Sequence, residues 1–420
     1  MALIVAREPS LFLEPRFWAE EGTYFQHALY HGWFDALVHV SVAPHVPYWH
    51  PIPHLSAIAA AHWVPLEYAP AVTSGAWCAV VLALALVVLY GRAELLASPW
   101  RRAAGLIAPL IAVANSETWV SSHQAHYYCD IALLLLMLEA DKVEGRRRVL
   151  SLSAFAVFAV LSPTNWLLVP AAAIVAYRAS PRARTYLYVL LAAVILHVGM
   201  SMLLFPKSTR PPPELAAVPH LFLVKLVLWP TVGHRVAQAY ADFAIAASNA
   251  TYYGLSFLLG LSVIALYAGA WLASRRDRTT LVLLATHATT AGAAFLLGLQ
   301  VGKSLLPVFH GGRYAFFPNA LVFLFLIHQL DATRATTRAP RQGVFAAVFA
   351  AALAGAVVQF RFPEAVRNWA KGPAWREEVA TFRENPAYDQ LQIAPAGWAV
   401  SIPVGVGAPT DNGNVELEKH

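Results

Sequence analysis

The chain has 420 residues, of which 58% are hydrophobic and 13% are charged, and its formal net charge is +6. Together with a mean hydropathy of +0.52, this composition excludes an ordinary soluble globular protein and predicts an all-α polytopic membrane protein. Arginines in short loops account for most of the positive charge, so we expect membrane lipids, and no nucleic acid, as partners.

Residues 1–67 are predicted to form a first extracytoplasmic loop. Residues 1–13 are too short for a membrane span or an ordinary signal peptide, and a further N-terminal helix would restore the commoner cytoplasmic start. Proline and aromatic residues are frequent in the rest of the loop. They favour short interfacial helices, and one such helix is predicted at 53–64.

The most informative residues of this loop are the adjacent acids Glu20 and Glu21. A carboxylate beside another has its pKa raised, which suits one of the two to act as a general base near neutral pH. The alternative is a solvated helix N-terminus, where the helix dipole favours acids. Arg16, Trp18 and Tyr24 surround the pair in the sequence and are expected to contribute to substrate binding.

About ten transmembrane helices are predicted in residues 68–360. Four apolar runs approach or reach the roughly 20 residues that cross a hydrocarbon core of about 30 Å. They are residues 68–90, 186–205, 252–273 and 280–301. Six shorter runs are compatible with spans only inside a packed bundle, because lipid cannot satisfy exposed backbone groups. They are residues 103–114, 125–139, 149–161, 166–177, 314–330 and 343–359.

The distribution of arginine predicts how these helices are oriented. Arginine clusters fall in every second loop, near residues 92–102, 146–148, 178–184, 275–278 and 334–341. Since short cytoplasmic loops accumulate Lys and Arg, the alternate loops are predicted to be extracytoplasmic. These are residues 14–67, 115–125, 162–165, 206–250, 302–313 and the segment 361–420.

The segment 361–420 is predicted to be a small C-terminal extracytoplasmic segment. It has a helical pattern at 373–383 and short strand patterns at 391–393 and 398–402. It is too small to form an independent domain, so we expect it to dock on the outside face of the bundle.

A second group of polar residues, Glu117, His123 and His126, falls in the outside loop 115–125 and at the start of the next span. Polar groups so close to the bilayer usually line a cavity, so we expect them to bind a ligand. The spacing of the two histidines places both on one helical face, as a metal pair requires, but a third ligand has to come from elsewhere. The alternative is a polar helix cap with interfacial aromatic residues.

Arg313 and Tyr314 follow two glycines in the outside loop 302–313. A guanidinium at the mouth of a span can clamp a phosphate through two hydrogen bonds. The alternative is an arginine that reaches lipid headgroups. Lys207 and Arg210 are weaker candidates for the same phosphate.

Four short motifs resemble those of bacterial membrane proteins of the glycosyltransferase C superfamily. They are Pro-Arg-Phe-Trp-Ala-Glu-Glu-Gly at 15–22, Asn-Ser-Glu at 115–117, Gly-Arg-Tyr at 312–314 with Pro318, and Pro-Ala-Gly-Trp at 395–398. Such proteins share a multi-span bundle with an acidic motif in the first outside loop. By this resemblance the acid corresponds to Glu20 and Glu21, the second position often being Asp in related chains.

The resemblance implies a glycosyltransferase of the bacterial inner (cytoplasmic) membrane, with its active site facing the periplasm or the cell exterior. The donor is then a sugar on a polyprenyl phosphate, since nucleotide sugars are confined to the cytoplasm. The acceptor is a glycan or a lipid-linked glycan. No cofactor follows from the resemblance, and whether a divalent cation is needed stays open.

The predicted reaction is an inverting glycosyl transfer. Glu21 or Glu20 removes the proton of the acceptor hydroxyl as the hydroxyl attacks the anomeric carbon. Arg313, helped by Lys207 or Arg210, stabilises the departing polyprenyl phosphate.

The remaining candidates are expected to hold the sugar. Glu117 and His126 would position it, or a divalent ion, while Trp18 and Tyr24 would stack on sugar faces. Two alternatives from other classes are a transporter or flippase of lipid-linked glycans and a non-catalytic envelope-assembly subunit. The predicted spans are almost free of charge and the polar residues collect on one face, which favours surface chemistry over passage.

Overall fold

The computed structural model describes residues 2–38, 49–112, 116–178, 181–204, 214–274, 277–298, 302–332, 339–360, 372–385 and 387–403. Within these ranges the chain is predominantly helical, with one small β-hairpin. The helices are α1 (Ala2–Arg7), α2 (Ser10–Leu13), α3 (Glu20–Tyr30), α4 (Trp33–Val38), α5 (Pro51–His62), α6 (Ala69–Tyr90), α7 (Pro99–Ile111), α8 (His126–Glu139), α9 (Gly145–Leu161), α10 (Val169–Arg178), α11 (Pro181–Leu204), α12 (Ala217–Phe222), α13 (Trp229–Val232), α14 (His234–Ala246), α15 (Asn249–Ser274), α16 (Arg278–Ala293), α17 (Phe316–Ala332), α18 (Ala339–Val358) and α19 (Trp375–Glu384). Strands β1 (Gln390–Ile393) and β2 (Trp398–Ser401) form the hairpin, and π-helical turns follow α12 at Leu223–Leu228 and α16 at Ala294–Gly298.

In the part of the chain that the structure describes, four helical segments are long and apolar enough to cross a membrane, judged by length and composition. They are Leu66–Tyr90, Pro181–Leu203, Asn249–Leu272 and Arg278–Leu296. These segments contain α6, α11, α15 and α16 and overlap the four long apolar runs of the sequence. The six shorter runs also form helices, namely α7, α8, α9, α10, α17 and α18. The helical fold class is thus confirmed, while ten spans and their orientation stay predictions.

Apolar side chains cover the outer faces of α11 and α15. Met202 on α11 is 80% exposed, and Phe257 and Ile264 on α15 are each 66% exposed. Contact with water would disfavour such faces by about 25 cal/mol per Å² of apolar surface, whereas contact with lipid tails would not. These faces therefore have the character of a lipid-contacting surface.

Helix α8 lies at the centre of the bundle. Each of its residues from His126 to Glu139 is buried, and it packs against α6, α9 and α17. An apolar run such as Ile131–Met137 has no polar face to present to solvent, so it is stable only where neighbouring helices surround it. This central position brings the start of α8 close to the first segment of the chain.

The C-terminal hairpin and α19 pack against that first segment. Strands β1 and β2 are antiparallel, with Leu391 opposite Val400, and both of these side chains are buried. The ring of Phe17 lies 4.7 Å from that of Phe25 and 4.9 Å from that of Trp375, between centroids. Residues from the two ends of the described chain therefore share one hydrophobic cluster, and the location of this cluster on the outside face stays a prediction.

Candidate active site

The acidic pair begins helix α3, directly after a turn of unusual backbone geometry. Ala19 has a φ of +37°, a value that residues with a β-carbon rarely adopt. Two hydrogen bonds stabilise the turn: the Ala19 N–H donates to the Ala394 carbonyl at 2.6 Å, and the Glu21 N–H donates to the Trp18 carbonyl at 2.8 Å. Because consecutive helical residues point about 100° apart, the two carboxylates face different surroundings.

Glu21 faces the interior, where its carboxylate accepts internal hydrogen bonds. Its Oε1 accepts from the N–H and the Oγ–H of Ser122, both at 2.6 Å, and its Oε2 accepts from the Trp18 N–H at 3.2 Å. Burial raises the pKa of Glu21 to about 7; the hydrogen bonds from Ser122 and Trp18 limit this rise, and the nearby charge of Glu20 adds to it. Glu21 thus connects α3 to the turn that precedes α8.

Glu20 forms a cluster with Glu117 and Arg313 that we call the acid-arginine cluster. Nη1 of Arg313 lies 3.2 Å from Oε2 of Glu117 and 3.8 Å from Oε1 of Glu20. The exposed fractions of the Glu20, Glu117 and Arg313 side chains are 12%, 25% and 26%. Oε2 of Glu20 is buried and has no hydrogen-bond partner within the described residues. The cluster therefore unites three separately predicted residues and retains hydrogen-bonding capacity for a ligand.

An apolar cavity of about 450 Å³ adjoins the acid-arginine cluster. Tyr314 lines this cavity together with His126 and Tyr127, and its ring centroid lies 5.2 Å from Cζ of Arg313. Residues of α11, including the exposed Met202, form another part of the wall. Glu20, Glu117 and Arg313 do not line the cavity themselves, and Tyr314 is the residue that connects it to their cluster. The cavity thus reaches from beside a polar cluster to an apolar outer surface of the bundle, a setting suited to a ligand with a polar and an apolar end.

Four buried histidines, His50, His54, His123 and His126, pack beside α3 and form what we call the histidine quartet. The His50 ring lies 4.9 Å from the His123 ring and 4.8 Å from the His126 ring, while His54 packs edge-on against Tyr24 at 4.6 Å. Burial lowers the pKa of His54 to about 4 and that of His123 to about 3, so both are neutral at physiological pH.

Among the described residues, the predicted metal pair His123 and His126 has no third ligand close enough to complete a site. In the described part of the chain, neither belongs to a group of three potential ligands whose atoms lie within 4.8 Å of one another. Nδ1–H of His126 instead donates to the His123 carbonyl at 2.9 Å. His126 lines the cavity, whereas His123 is buried and is not among the lining residues.

Three residues predicted to bind substrate are directed into the protein. Trp18 and Tyr24 are buried, so their rings pack within the protein, and their stacking on sugar faces stays a prediction. Arg16 pairs with Glu14 at 2.8 Å and donates to the Gly372 carbonyl, so it links the first segment to the C-terminal one. Aromatic residues serve cores as readily as carbohydrate sites. Here Trp18 pairs with Ala394 of the C-terminal segment, and Tyr24 packs against His54 and His123.

Two residues that support the site give no distinctive signal in the sequence. Ser122, which binds Glu21, is one serine among many in the chain. At Gly22 a β-carbon would collide with Ile393 and come within 2.9 Å of Cγ2 of Val400, so glycine is what allows the hairpin to pack against the acidic turn. Two further predicted phosphate ligands lie outside the described residues, namely Lys207 and Arg210.

Two further charged residues are buried: Asp130 on α8, which modifies the expectation of almost charge-free spans, and Lys225 in the first π-helical turn, within the predicted outside loop 206–250. Asp130 accepts hydrogen bonds from the hydroxyls of Ser162 and Thr164, both at 2.6 Å. Nζ of Lys225 donates to three backbone carbonyls of the loop 307–310 at 2.7 to 2.9 Å. Both groups are thus satisfied by the protein, and they fix the loops beside the cavity and before Arg313.

Comparison with known protein families, curated proteins and solved structures finds no match. Function is therefore inferred from the geometry and chemistry of the site.

Proposed function

We propose that this chain is a membrane glycosyltransferase that moves a sugar from a polyprenyl-phosphate donor to a glycan or lipid-linked acceptor on the extracytoplasmic face. The observation that carries the proposal is the acid-arginine cluster, which Tyr314 connects to an apolar cavity. Such a donor requires a cation for its phosphate, an apolar surface for its lipid and a base for the acceptor, and all three kinds of group meet here.

Glu20 is the better-placed general base of the acidic pair. Its Oε2 has no hydrogen-bond partner in the described ranges, whereas both oxygens of Glu21 accept hydrogen bonds from Ser122 or Trp18. In the proposed step the acceptor hydroxyl gives its proton to Glu20 while its oxygen bonds to the anomeric carbon. The bond from that carbon to the phosphate oxygen breaks, and polyprenyl phosphate leaves with inversion at the sugar.

Arg313 is suited to stabilise the leaving phosphate. Its contacts with Glu117 and Glu20 involve Nη1, and a guanidinium has five N–H donors in all. As negative charge develops on the phosphate, donors already held in place by the protein stabilise the transition state. Glu117 then has two roles: it orients Arg313, and it accepts hydrogen bonds from sugar hydroxyls.

The proposed setting is the inner membrane of a bacterium, crossed about ten times, with the acid-arginine cluster outside. Two observations support it. The arginine-rich loops alternate in sequence with the loops that carry Glu20, Glu117 and Arg313, as the positive-inside rule requires. The cavity wall includes part of α11, whose outer face is apolar, so the lipid chain of the donor can enter sideways from the bilayer.

Sugar transfer by the full chain in lipid nanodiscs tests the proposal. The donors are labelled hexoses and pentoses on polyprenyl phosphate, and bacterial membrane glycans are the acceptors. We expect the native protein to label the glycans and Glu20→Gln to lose this activity. Glu94→Gln, at an exposed acid in an arginine-rich loop, is the matched control and should retain it. Correctly inserted native protein without transfer from any donor, or full transfer by Glu20→Gln, would contradict the proposal.

A further inference from the structure

Three potential metal ligands meet at the opposite end of α3 from the acidic pair. His27 lies in the last turn of α3, His31 is the residue after the helix, and Asp35 is on α4. Their potential ligand atoms all lie within 4.8 Å of one another. Nδ1 of His31 is 3.0 Å from Oδ2 of Asp35, and the His27 and His31 rings are 4.1 Å apart between centroids.

The local fold explains this meeting. Side chains four residues apart lie on one face of a helix, so His27 and His31 are stacked one above the other. At His31 the backbone leaves the helix in an extended conformation, with φ −128° and ψ 154°. The chain then turns at Gly32 into α4, whose first turn carries Asp35 back toward the two imidazoles.

We propose that His27, His31 and Asp35 bind a divalent transition-metal ion of the zinc type. Two imidazole nitrogens and one carboxylate oxygen are ligands that such ions prefer. In a tetrahedral zinc site with bonds of 2.0 to 2.1 Å, ligand atoms are about 3.3 Å apart, close to the separation of His31 and Asp35. The His31 and Asp35 side chains are 46% and 42% exposed, so water can complete the coordination and an ion can enter from solvent.

This site is distinct from the acid-arginine cluster and does not depend on the proposed function. His27 is seven positions after Glu20, which corresponds to about 10 Å along the axis of α3. The ion would clamp α4 to α3. Helix α4 in turn orients one member of the histidine quartet, because Nδ1–H of His54 donates to the Ala36 carbonyl at 2.7 Å. The role of the ion is thus to fix the first segment rather than to contact substrate.

Metal binding by the purified full chain, with a purification tag free of histidine and after treatment with a chelator, tests this proposal. Titration with ZnCl₂ should reveal one ion per chain, and CoCl₂ should give the visible absorption of four- or five-coordinate cobalt. His31→Ala and Asp35→Asn should each weaken zinc binding by at least about ten-fold. His62→Ala removes another exposed histidine of the first segment and should leave binding unchanged.

Asp35→His provides a second check, since it retains three donor groups and should still bind zinc. Zinc should also raise the unfolding temperature of the native chain and leave that of Asp35→Asn unchanged. Absence of zinc binding by the native chain, or equal affinities for the native, His31→Ala and Asp35→Asn proteins, overturns the proposal. Sugar transfer is not the readout, so a failure here is separate from a failure of the glycosyltransferase proposal.

Discussion

The acid-arginine cluster and a second polar cluster, formed by Asp277, Thr280 and His328, lie near opposite ends of α17, and each joins distant parts of the chain. In the second cluster Oδ1 of Asp277 accepts from the N–H groups of Thr279 and Thr280 at 3.0 and 3.3 Å. Oδ2 accepts from the Thr280 hydroxyl and from Nε2 of His328, the latter at 2.8 Å. The Asp277 cluster thus uses both carboxylate oxygens internally.

The acid-arginine cluster differs in that one carboxylate oxygen of Glu20 has no partner in the described residues. It also adjoins a cavity, whereas the carboxylate of Asp277 caps the start of α16 and joins that helix to α17. A buried polar group that is fully hydrogen-bonded stabilises one arrangement of the fold, and one with unused capacity is suited to bind a ligand. The Asp277 cluster therefore has the features of a structural cluster, and the acid-arginine cluster has those of a candidate functional one.

The substitution Glu20→Gln is expected to have the largest effect, and this effect is on the rate of sugar transfer. Removing the proposed base should lower the rate of sugar transfer by about 1,000-fold, within the usual range for a general base. The unfolding temperature in detergent should stay close to that of the native chain, because Glu20 accepts few internal hydrogen bonds. If Glu20→Gln instead lowers the unfolding temperature strongly, without lowering the transfer rate per folded molecule, then Glu20 has a structural role like that of Asp277.

The next effect concerns Glu21 and depends on pH. Because folding raises the pKa of Glu21 from 4.5 to about 7, the folded state binds more protons than the unfolded chain between these values. Stability from this group is greatest below pH 4.5 and is lost as the pH rises through 7, by about 3 kcal/mol in total. The side chain introduced by Glu21→Gln cannot ionise, so this variant should lack the pH-dependent stability that Glu21 contributes.

Unfolding temperatures of the native chain and Glu21→Gln, measured from pH 5 to pH 8, check this prediction. Subtracting one curve from the other removes the titration of histidines, which both proteins share. Parallel curves would mean that Glu21 does not titrate in this interval.

Arg313 should have the third largest effect. Arg313→Gln removes the cation from the proposed phosphate site and should lower transfer by about 100-fold. Arg313→Lys keeps the charge but not the planar fork of donors, so a loss of about ten-fold is expected. Transfer rates of both variants, measured beside the Glu94→Gln control, test this order. Equal activity of the Lys and Gln variants would exclude a role for the charge.

The smallest effect is expected for Asp277→Asn, and it is on stability alone. The amide can accept through only one oxygen, so the cap of α16 or the bond to His328 is weakened, at a cost of about 2 kcal/mol. The unfolding temperature should fall while the transfer rate per folded molecule changes less than two-fold. A selective loss of transfer would show that the two clusters are not functionally distinct.

Much of the secondary structure is predictable from local sequence. The strands expected at 391–393 and 398–402 are confirmed as β1 and β2, because alternating apolar residues flank the turn at Pro395 and Gly397. The helix expected at 373–383 is confirmed as α19. The long apolar runs are equally recognisable, since run length is a property of the sequence alone.

The site is only partly predictable. Glu20, Glu117 and Arg313 are conspicuous because charges are rare in so apolar a chain, but their meeting depends on tertiary packing. Glu20 and Glu21 have different proposed roles because only Glu21 faces Ser122. No pattern in the sequence predicts which of the two acids does so. The ligand set His27, His31 and Asp35 spans a helix end, where helical periodicity no longer predicts side-chain direction.

The contact between the C-terminal hairpin and the acidic turn has a consequence for biosynthesis. Ribosomes and the membrane-insertion machinery handle a chain from its N-terminus, so the turn at Ala19 emerges long before the strand that ends at Ile393. Until the Ala394 carbonyl arrives, the N–H of Ala19 lacks the partner that stabilises its positive φ. We therefore expect the nascent chain to enter the bilayer before its first loop has reached the folded geometry. The acidic turn at Ala19 can complete its contacts with the hairpin only when translation has passed residue 401.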